Sequence, residues 1–333
     1  MAEAHRSVLV LGAQGVLGGV AARAFQREGW RVARAGRRTE HGVSLVDLDR
    51  PETLREALAG IDVVVNPVPD ERLAAERVVL EAGPALVNLS TSPASAGRVL
   101  RREATSGPGL VLIHAGVAPG VIGLIAADLL RLHPEADEVE LAFTISAGGT
   151  SGRSGAGFIH RYLSTAAHHR TFRAELAARW GTRTCFEIGA DERGWLSDEL
   201  VAGHAVRLGV YFRERPLQAL FIALNRLHLM GAVPRFAFVA GRRRVPAEAS
   251  AEPIAEWIAL SRAGERLAAR RLDGHGDYRM TAMAALVFAQ ALLELRTAEP
   301  ERTGVYAPEE LFTLDRLWPE LRQCGFELAE LET

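Results

Sequence analysis

No lysine occurs anywhere in the chain, so all 39 of its Lys and Arg positions are arginine. That absence excludes a Walker-A phosphate loop, which needs its lysine. It equally excludes Schiff-base catalysis, which needs an amine, and the Tyr-x-x-x-Lys pair of short-chain dehydrogenases. Cysteine is nearly as scarce. Cys185 and Cys324 stand far apart and match no zinc or redox spacing, which points to reduced thiols in a cytoplasmic protein. Neither sign of charge dominates, and a formal charge of -2 argues against nucleic acid as the main partner. There is no charged tail, no repeat and no low-complexity linker. The stretch Met1 to Arg6 is too short and polar to read as a signal peptide. The apolar run Leu217 to Met230 is interrupted by Asn225, Arg226 and His228, which makes a membrane span an unfavourable reading.

What is present is concentrated near the start. The apolar run Val8-Leu9-Val10-Leu11 turns directly into Gly12-Ala13-Gln14-Gly15-Val16-Leu17-Gly18. A buried strand that ends in glycines and opens a helix makes a phosphate site. Gly12 allows the tight turn, Gly15 lets backbone approach a pyrophosphate, and Gly18 lets helix and strand pack closely. The helix start supplies N–H groups and the positive end of its dipole. The spacing is GxxGxxG, a variant of GxGxxG, and Ala21, Ala22, Ala24 and Phe25 continue a helical stripe behind it. The alternative is a purely structural turn.

The end of the second expected strand, Arg31 to Ala35, is where a fold specific for NAD places an acid on the adenosine ribose. This chain has Gly36-Arg37-Arg38 there instead. Two guanidinium groups suit a dianionic 2′-phosphate, so NADP is expected ahead of NAD, with a solvated basic turn as the bland alternative.

With 333 residues and 48% hydrophobic content, the chain is long enough for two domains. Apolar, β-branched runs recur at Val43 to Val46, Ile61 to Asn66, Ala85 to Leu89 and Leu110 to Ala115. Helical periods at Pro51 to Ala59, Asp70 to Ala82 and Ser95 to Thr105 separate them. The alternation predicts an α/β chain with a Rossmann-type doubly wound parallel sheet. After Pro119 the character changes. Val139 to Ile145 reads as a strand, Phe158 to Trp180 as a helix, and Gly181 to Gly189 and Leu200 to Phe212 as strands. Arg279 to Arg296 and Pro308 to Gly325 read as helices. The expected organisation is a dinucleotide-binding domain of residues 1–122 and 279–333, with a second α+β domain of residues 123–278 inserted before the returning C-terminal helices. The second domain would serve substrate binding and dimerisation.

Further segments resemble the saccharopine dehydrogenase and reductase-like family: Asp47-Leu48, Val65-Asn66-Pro67, Val87-Asn88-Leu89-Ser90, Gly116-Val117-Ala118-Pro119-Gly120, Ala147-Gly148-Gly149-Thr150 and Gly304-Val305-Tyr306-Ala307-Pro308-Glu309. The resemblance covers the first 120 residues well, the last 50 fairly, and the middle poorly. It implies a nicotinamide-dependent oxidoreductase, with an imine or amino-acid-derived substrate.

By position in such a fold, Gly12, Gln14, Gly15, Val16 and Leu17 would meet the pyrophosphate, and Arg37 with Arg38 the 2′-phosphate. Asp47 and Leu48 would border adenine. Asn66, Pro67, Ser90 and Thr91 end strands near the ribose and nicotinamide, although for Ser90 and Thr91 strand-terminal turn chemistry explains them equally well. His114 closes the sixth strand and titrates in a useful range for a proton donor; a histidine bonded to a carbonyl is the competing reading. Arg153, His160 and Tyr162 follow the glycine segment, and His160 with His168 and His169 would lie along one helix. No acid completes a metal set between these histidines, so no metal is expected. Asp277 and Tyr278 are further candidates.

Three functions follow from these residues. The first is an NADP-dependent reductase or dehydrogenase acting on a small metabolite, as a cytoplasmic homodimer. The second is a catalytically silent NADP-binding redox sensor. The third is a lipid-associated reductase using Leu217 to Val239 as an apolar wall.

Overall fold

The computed structural model describes residues 6–39, 42–90, 94–103, 107–145, 160, 163–164, 166–189, 196–234 and 252–332. They group into two compact units, residues 1–121, 195–197 and 278–324 in one, and 122–194, 198–277 and 325–333 in the other. In chain order the elements begin β1 (Ser7–Val10), α1 (Val16–Arg27), β2 (Arg31–Gly36), β3 (Val43–Leu45), α2 (Pro51–Ala57), β4 (Val63–Asn66) and α3 (Ala74–Ala82). Next come β5 (Ala85–Asn88), α4 (Ala94–Glu103), β6 (Leu110–Leu112), α5 (Val121–Leu132), β7 (Glu138–Ile145), β8 (Thr171–Glu175) and β9 (Thr182–Glu187). After these follow α6 (Asp198–Val201), β10 (Ala205–Phe212), α7 (Arg215–Arg226), β11 (Pro253–Arg262) and β12 (Glu265–His275). The chain continues through α8 (Asp277–Ala298), β13 (Gly304–Tyr306), α9 (Pro308–Leu311), α10 (Leu314–Gln323) and β14 (Glu327–Leu331).

The first unit holds a seven-stranded sheet in the order β13-β6-β5-β4-β1-β2-β3, with every pairing parallel. Strands buried on both faces need apolar side chains at every position. Val8-Leu9-Val10 and Val63-Val64-Val65 meet that demand, and both strands are buried throughout, with Ser7 and Asn66 as polar ends. Helix α1 turns its Val20, Ala21, Ala24 and Phe25 face inward. Phe25 meets Trp30 edge-on at 5.0 Å, a geometry that adds about 0.5–1.5 kcal/mol to the area buried. The strand order reverses between β1 and β4, the switch point at which such sheets bind ligands.

The predicted parallel sheet is therefore present, and it gains a seventh strand. The expected single helix from Pro308 to Gly325 is two helices. Phe312 between them is extended (φ -130°, ψ 148°) and buried, and Thr313 starts the second helix with Asp315 in its first turn. Helix α8 is long and apolar enough to cross a membrane by composition alone. Met280, Leu286, Phe288 and Leu292 nevertheless lie buried.

The second unit is a mixed sheet in the order β14-β12-β11-β7-β10-β9-β8. Its β7 and β10 run parallel over eight residue pairs, Glu138 to Ile145 against Ala205 to Phe212. On one face, rings of Phe172, Tyr211 and Trp257 lie among the small side chains Ala142, Ala255, Ala259 and Ala269. A Cβ at Gly209 would stand 2.5 Å from Phe172 Cε1, so that ring requires glycine beneath it. Guanidinium groups stack on these rings, Arg207 4.8 Å from the Phe172 centroid and Arg266 4.6 Å from that of Trp257.

Two expectations fail in this unit. The helix expected from Phe158 to Trp180 gives way to β8, in which Phe172 and Ala174 are buried while Thr171, Arg173 and Glu175 are exposed. Period two outcompetes the helical propensity of its alanines and leucine. His160, His168 and His169 consequently do not share a helix. In addition, residues 325–333, expected with the first domain, carry β14, which pairs antiparallel with β12.

Candidate functional site

The glycine loop forms the turn that its sequence demands. Gly12 sits at φ +56°, the left-handed region where a side chain is strained. The Gly15 N–H closes the turn on the Gly12 carbonyl at 2.8 Å. Gly15 is also the N-cap of α1, and no side chain caps that helix start. A Cβ on Gly15 would stand 3.1 Å from Gly12 O, and one on Gly18 2.3 Å from the same atom. The loop and the first helical turn thus lie against each other with no room for side chains. Gln14, Gly15 and Val16 are exposed, and Leu17 is half-buried. A helix start with uncapped N–H groups, no acid in its first turn and a glycine-lined approach is chemically suited to a diphosphate.

At the end of β2, Gly36 is buried and Arg37 and Arg38 are exposed. A Cβ on Gly36 would stand 2.8 Å from Gln14 Oε1, so the Gln14 carboxamide occupies the space that a side chain would fill. Gln14 Nε2 donates to the Arg38 carbonyl at 3.3 Å, tying the glycine loop to the basic turn. Asp47 is committed locally. Its N–H donates to Thr53 Oγ1 at 2.9 Å, and its carboxylate accepts from the Asp49 N–H at 3.2 Å and from Arg50 Nε at 3.4 Å. Leu48 packs against the core of the first unit.

The ends of β4 and β5 hold a group that the sequence reading missed. Asn66 and Asn88 are direct register partners, both 1% exposed. Their Nδ2 groups donate to one oxygen, Glu76 Oε1, at 2.8 Å and 2.6 Å. Asn66 Oδ1 in turn accepts the Val68 N–H at 3.0 Å, while Asn88 Oδ1 accepts the Ser90 N–H at 2.6 Å and the Ser90 hydroxyl at 2.8 Å. Pro67, within the Asn66–Val68 turn, is half-buried. Glu76 is fully buried on α3, and burial pushes its carboxyl above the usual range against the pull of the two carboxamides. Its one sequence signal was a lone acid on the apolar face Ala75-Val78-Val79.

His114 sits at φ +56°, 4% exposed. Neither ring nitrogen has a partner among the described residues. A Cβ on Gly97 of α4 would stand 3.7 Å from His114 Nε2, ordinary contact distance, so α4 packs beside the imidazole. Burial, reinforced by the Arg101 charge, holds the imidazole down at about 3. The expectation that His114 titrates near neutrality is thereby corrected. It is a neutral ring at physiological pH, able to donate one N–H but not to deliver a proton as imidazolium.

Nearby, Arg101 forms a bidentate pair with Glu310 at 2.6 Å and 2.8 Å. Glu309 accepts the Ser197 N–H at 2.8 Å, and burial lifts its carboxyl to about 7. Of the remaining candidates, His160 lies in the second unit, where its carbonyl accepts the Ser164 N–H at 2.9 Å. Asp277 and Tyr278 open α8. Arg153, Tyr162 and Thr91 lie outside the described residues, as does 235–239 of the proposed apolar wall.

The parallel sheet, its glycine loop and the mixed second sheet define a Rossmann-type α/β fold with a second mixed-sheet unit. Among solved structures, the chain is similar to saccharopine dehydrogenase (L-Glu forming) from Saccharomyces cerevisiae. The identity is 12%, the match covers 98% of this chain and 100% of that one, and the TM-score is 0.56. The family that the sequence motifs resemble is thus also represented among its structural neighbours. A variant meso-dapdh from Clostridium tetani matches with 13% identity, covering 95% and 98% of the two chains, at a TM-score of 0.47. An inositol dehydrogenase homolog from Azotobacter vinelandii, complexed with NADH and myo-inositol, matches with 13% identity over 99% and 98%, at 0.42. No protein-family profile and no curated protein matches the sequence.

Proposed function

We propose that the protein is an NADP-dependent reductase or dehydrogenase that passes hydride between the dinucleotide and a small metabolite carrying a C=N or C=O group. The observation that carries this reading is the uncapped start of α1, packed against Gly12 at the switch point of a parallel sheet. Gly12, Gln14, Gly15, Val16 and Leu17 would hold the diphosphate. Arg37 and Arg38, exposed where a ribose-binding acid is absent, favour NADP over NAD. The nicotinamide supplies the hydride chemistry. His114 serves in this reading as a neutral hydrogen-bond donor at the end of β6. An imine or amino-acid-derived acceptor accords with the name of the yeast neighbour, an L-Glu-forming saccharopine dehydrogenase.

A second reading, a dinucleotide-binding redox sensor, is supported by the burial of His114, 4% exposed and with neither ring nitrogen partnered among the described residues. One experiment separates the two. The purified protein is titrated with NADPH and with NADH by nicotinamide fluorescence. Consumption of the bound nucleotide is then followed with a panel of 2-oxo acids, with and without amines. Preferential NADPH binding followed by turnover is expected. Binding without turnover on any acceptor supports the sensor, and failure to bind either nucleotide overturns both readings.

A further inference from the structure

We propose that Glu76 is a positioning residue for the nicotinamide half of the dinucleotide, acting as a clamp that fixes the ends of β4 and β5 together. The inference rests on the first unit being the dinucleotide site. Its geometry is that of one buried oxygen receiving two carboxamides. Asn66 and Asn88 are neighbours across the β4–β5 pair, and both turn Nδ2 onto Glu76 Oε1. That leaves each Oδ1 aimed at the following backbone, Val68 N–H from Asn66 and Ser90 N–H from Asn88.

An isolated asparagine at a strand end can present either its oxygen or its nitrogen to the next turn. A carboxyl that only accepts at Oε1 settles the choice for both residues at once. The clamp also reaches the glycine loop. Val68, whose N–H is held by Asn66, places Cγ2 2.8 Å from where a Gly12 Cβ would be. Two turns at the C-terminal edge of the sheet, those after Asn66 and Asn88, therefore share one acceptor on α3.

Glu76 Oε2 has no partner among the described residues. Burial pushes the carboxyl upward against the pull of the two carboxamides, and Oε1 accepts in either protonation state. Glutamine keeps the accepting oxygen and leucine removes it, so the two substitutions separate clamp from bulk.

The test measures binding of NADP and of adenosine 2′,5′-bisphosphate, which carries only the adenosine half, to the wild-type protein, Glu76→Gln and Glu76→Leu. Backbone hydrogen exchange at Val68 and Ser90 is followed in parallel. Glu76→Leu is expected to weaken NADP about tenfold, with the bisphosphate unchanged within about twofold, while Glu76→Gln stays within about threefold of wild type on both. Exchange at Val68 and Ser90 should quicken in the leucine variant only. Should that variant not fold, Asn88→Ala removes the Ser90 arm alone and is expected to show the same split with a smaller loss. Equal weakening of both ligands, or none, in a folded variant overturns the clamp. A wild-type protein that binds neither ligand overturns the dinucleotide reading instead, and the exchange rates then decide the clamp on their own.

Discussion

A Cβ on Gly18 would stand 2.3 Å from the carbonyl oxygen of Gly12, so helix α1 and the turn that feeds it touch through backbone alone. Gly18→Ala must therefore push the loop off the helix start. The expected result is a stability loss of about 1–3 kcal/mol with at least about tenfold weaker dinucleotide binding. Calorimetric titration beside thermal unfolding checks it, and unchanged affinity would show that the loop is not the diphosphate cradle.

Arg37 and Arg38 follow Gly36 as exposed side chains at the end of β2. Replacing both with alanine is expected to cost about 1.5–3 kcal/mol of binding per charged hydrogen bond lost. The loss should appear with NADP and not with NAD. Equal weakening of the two nucleotides would remove the argument for the 2′-phosphate.

Glu309 and His114 make opposite contributions to acid stability. Burial lifts Glu309 from an ordinary 4.5 to about 7, so across that interval the folded chain keeps a proton that the unfolded chain has lost, and stability falls as pH rises. His114 is held at about 3 against an ordinary 6.5, so across that interval the unfolded chain binds the extra proton, and stability falls as pH drops. In the region where they overlap, the two largely offset each other. Glu309→Gln should leave a urea midpoint that climbs from about pH 5 to about pH 6.5, and His114→Gln one that declines over the same range. Midpoints that track wild type at every pH would contradict the assignment.

The Arg101–Glu310 pair joins α4 to α9 by two parallel hydrogen bonds, with both side chains mostly buried. Arg101→Ala is expected to destabilise the protein by about 1–3 kcal/mol by leaving a carboxylate without its fork. Arg101→Lys should restore less than half, because an ammonium cannot engage both oxygens. Chemical denaturation of the three proteins decides the point.

The first unit was legible because its signals are local. Val63-Val64-Val65 and the glycine loop each announce their structure within a few residues, and parallel strands buried on both faces read as unbroken apolar runs. The second unit was harder. Its β11–β12 hairpin turns through Ala263 and Gly264, both at positive φ, and alanine there hides a turn that Asn-Gly would have declared. Glu76 was invisible for a different reason. Its role depends on two asparagines on separate strands, and nothing in the spacing of three residues reveals a shared hydrogen-bond acceptor. The shift of His114 was equally non-local, since it comes from the depth of burial and the Arg101 charge on α4.

Neither sheet can be finished early. One edge strand of the first comes from Gly304–Tyr306 and one of the second from Glu327–Leu331, far along the sequence from the strands that they join. During synthesis both would wait with an open edge, β6 in one and β12 in the other, each a template for pairing with a foreign strand.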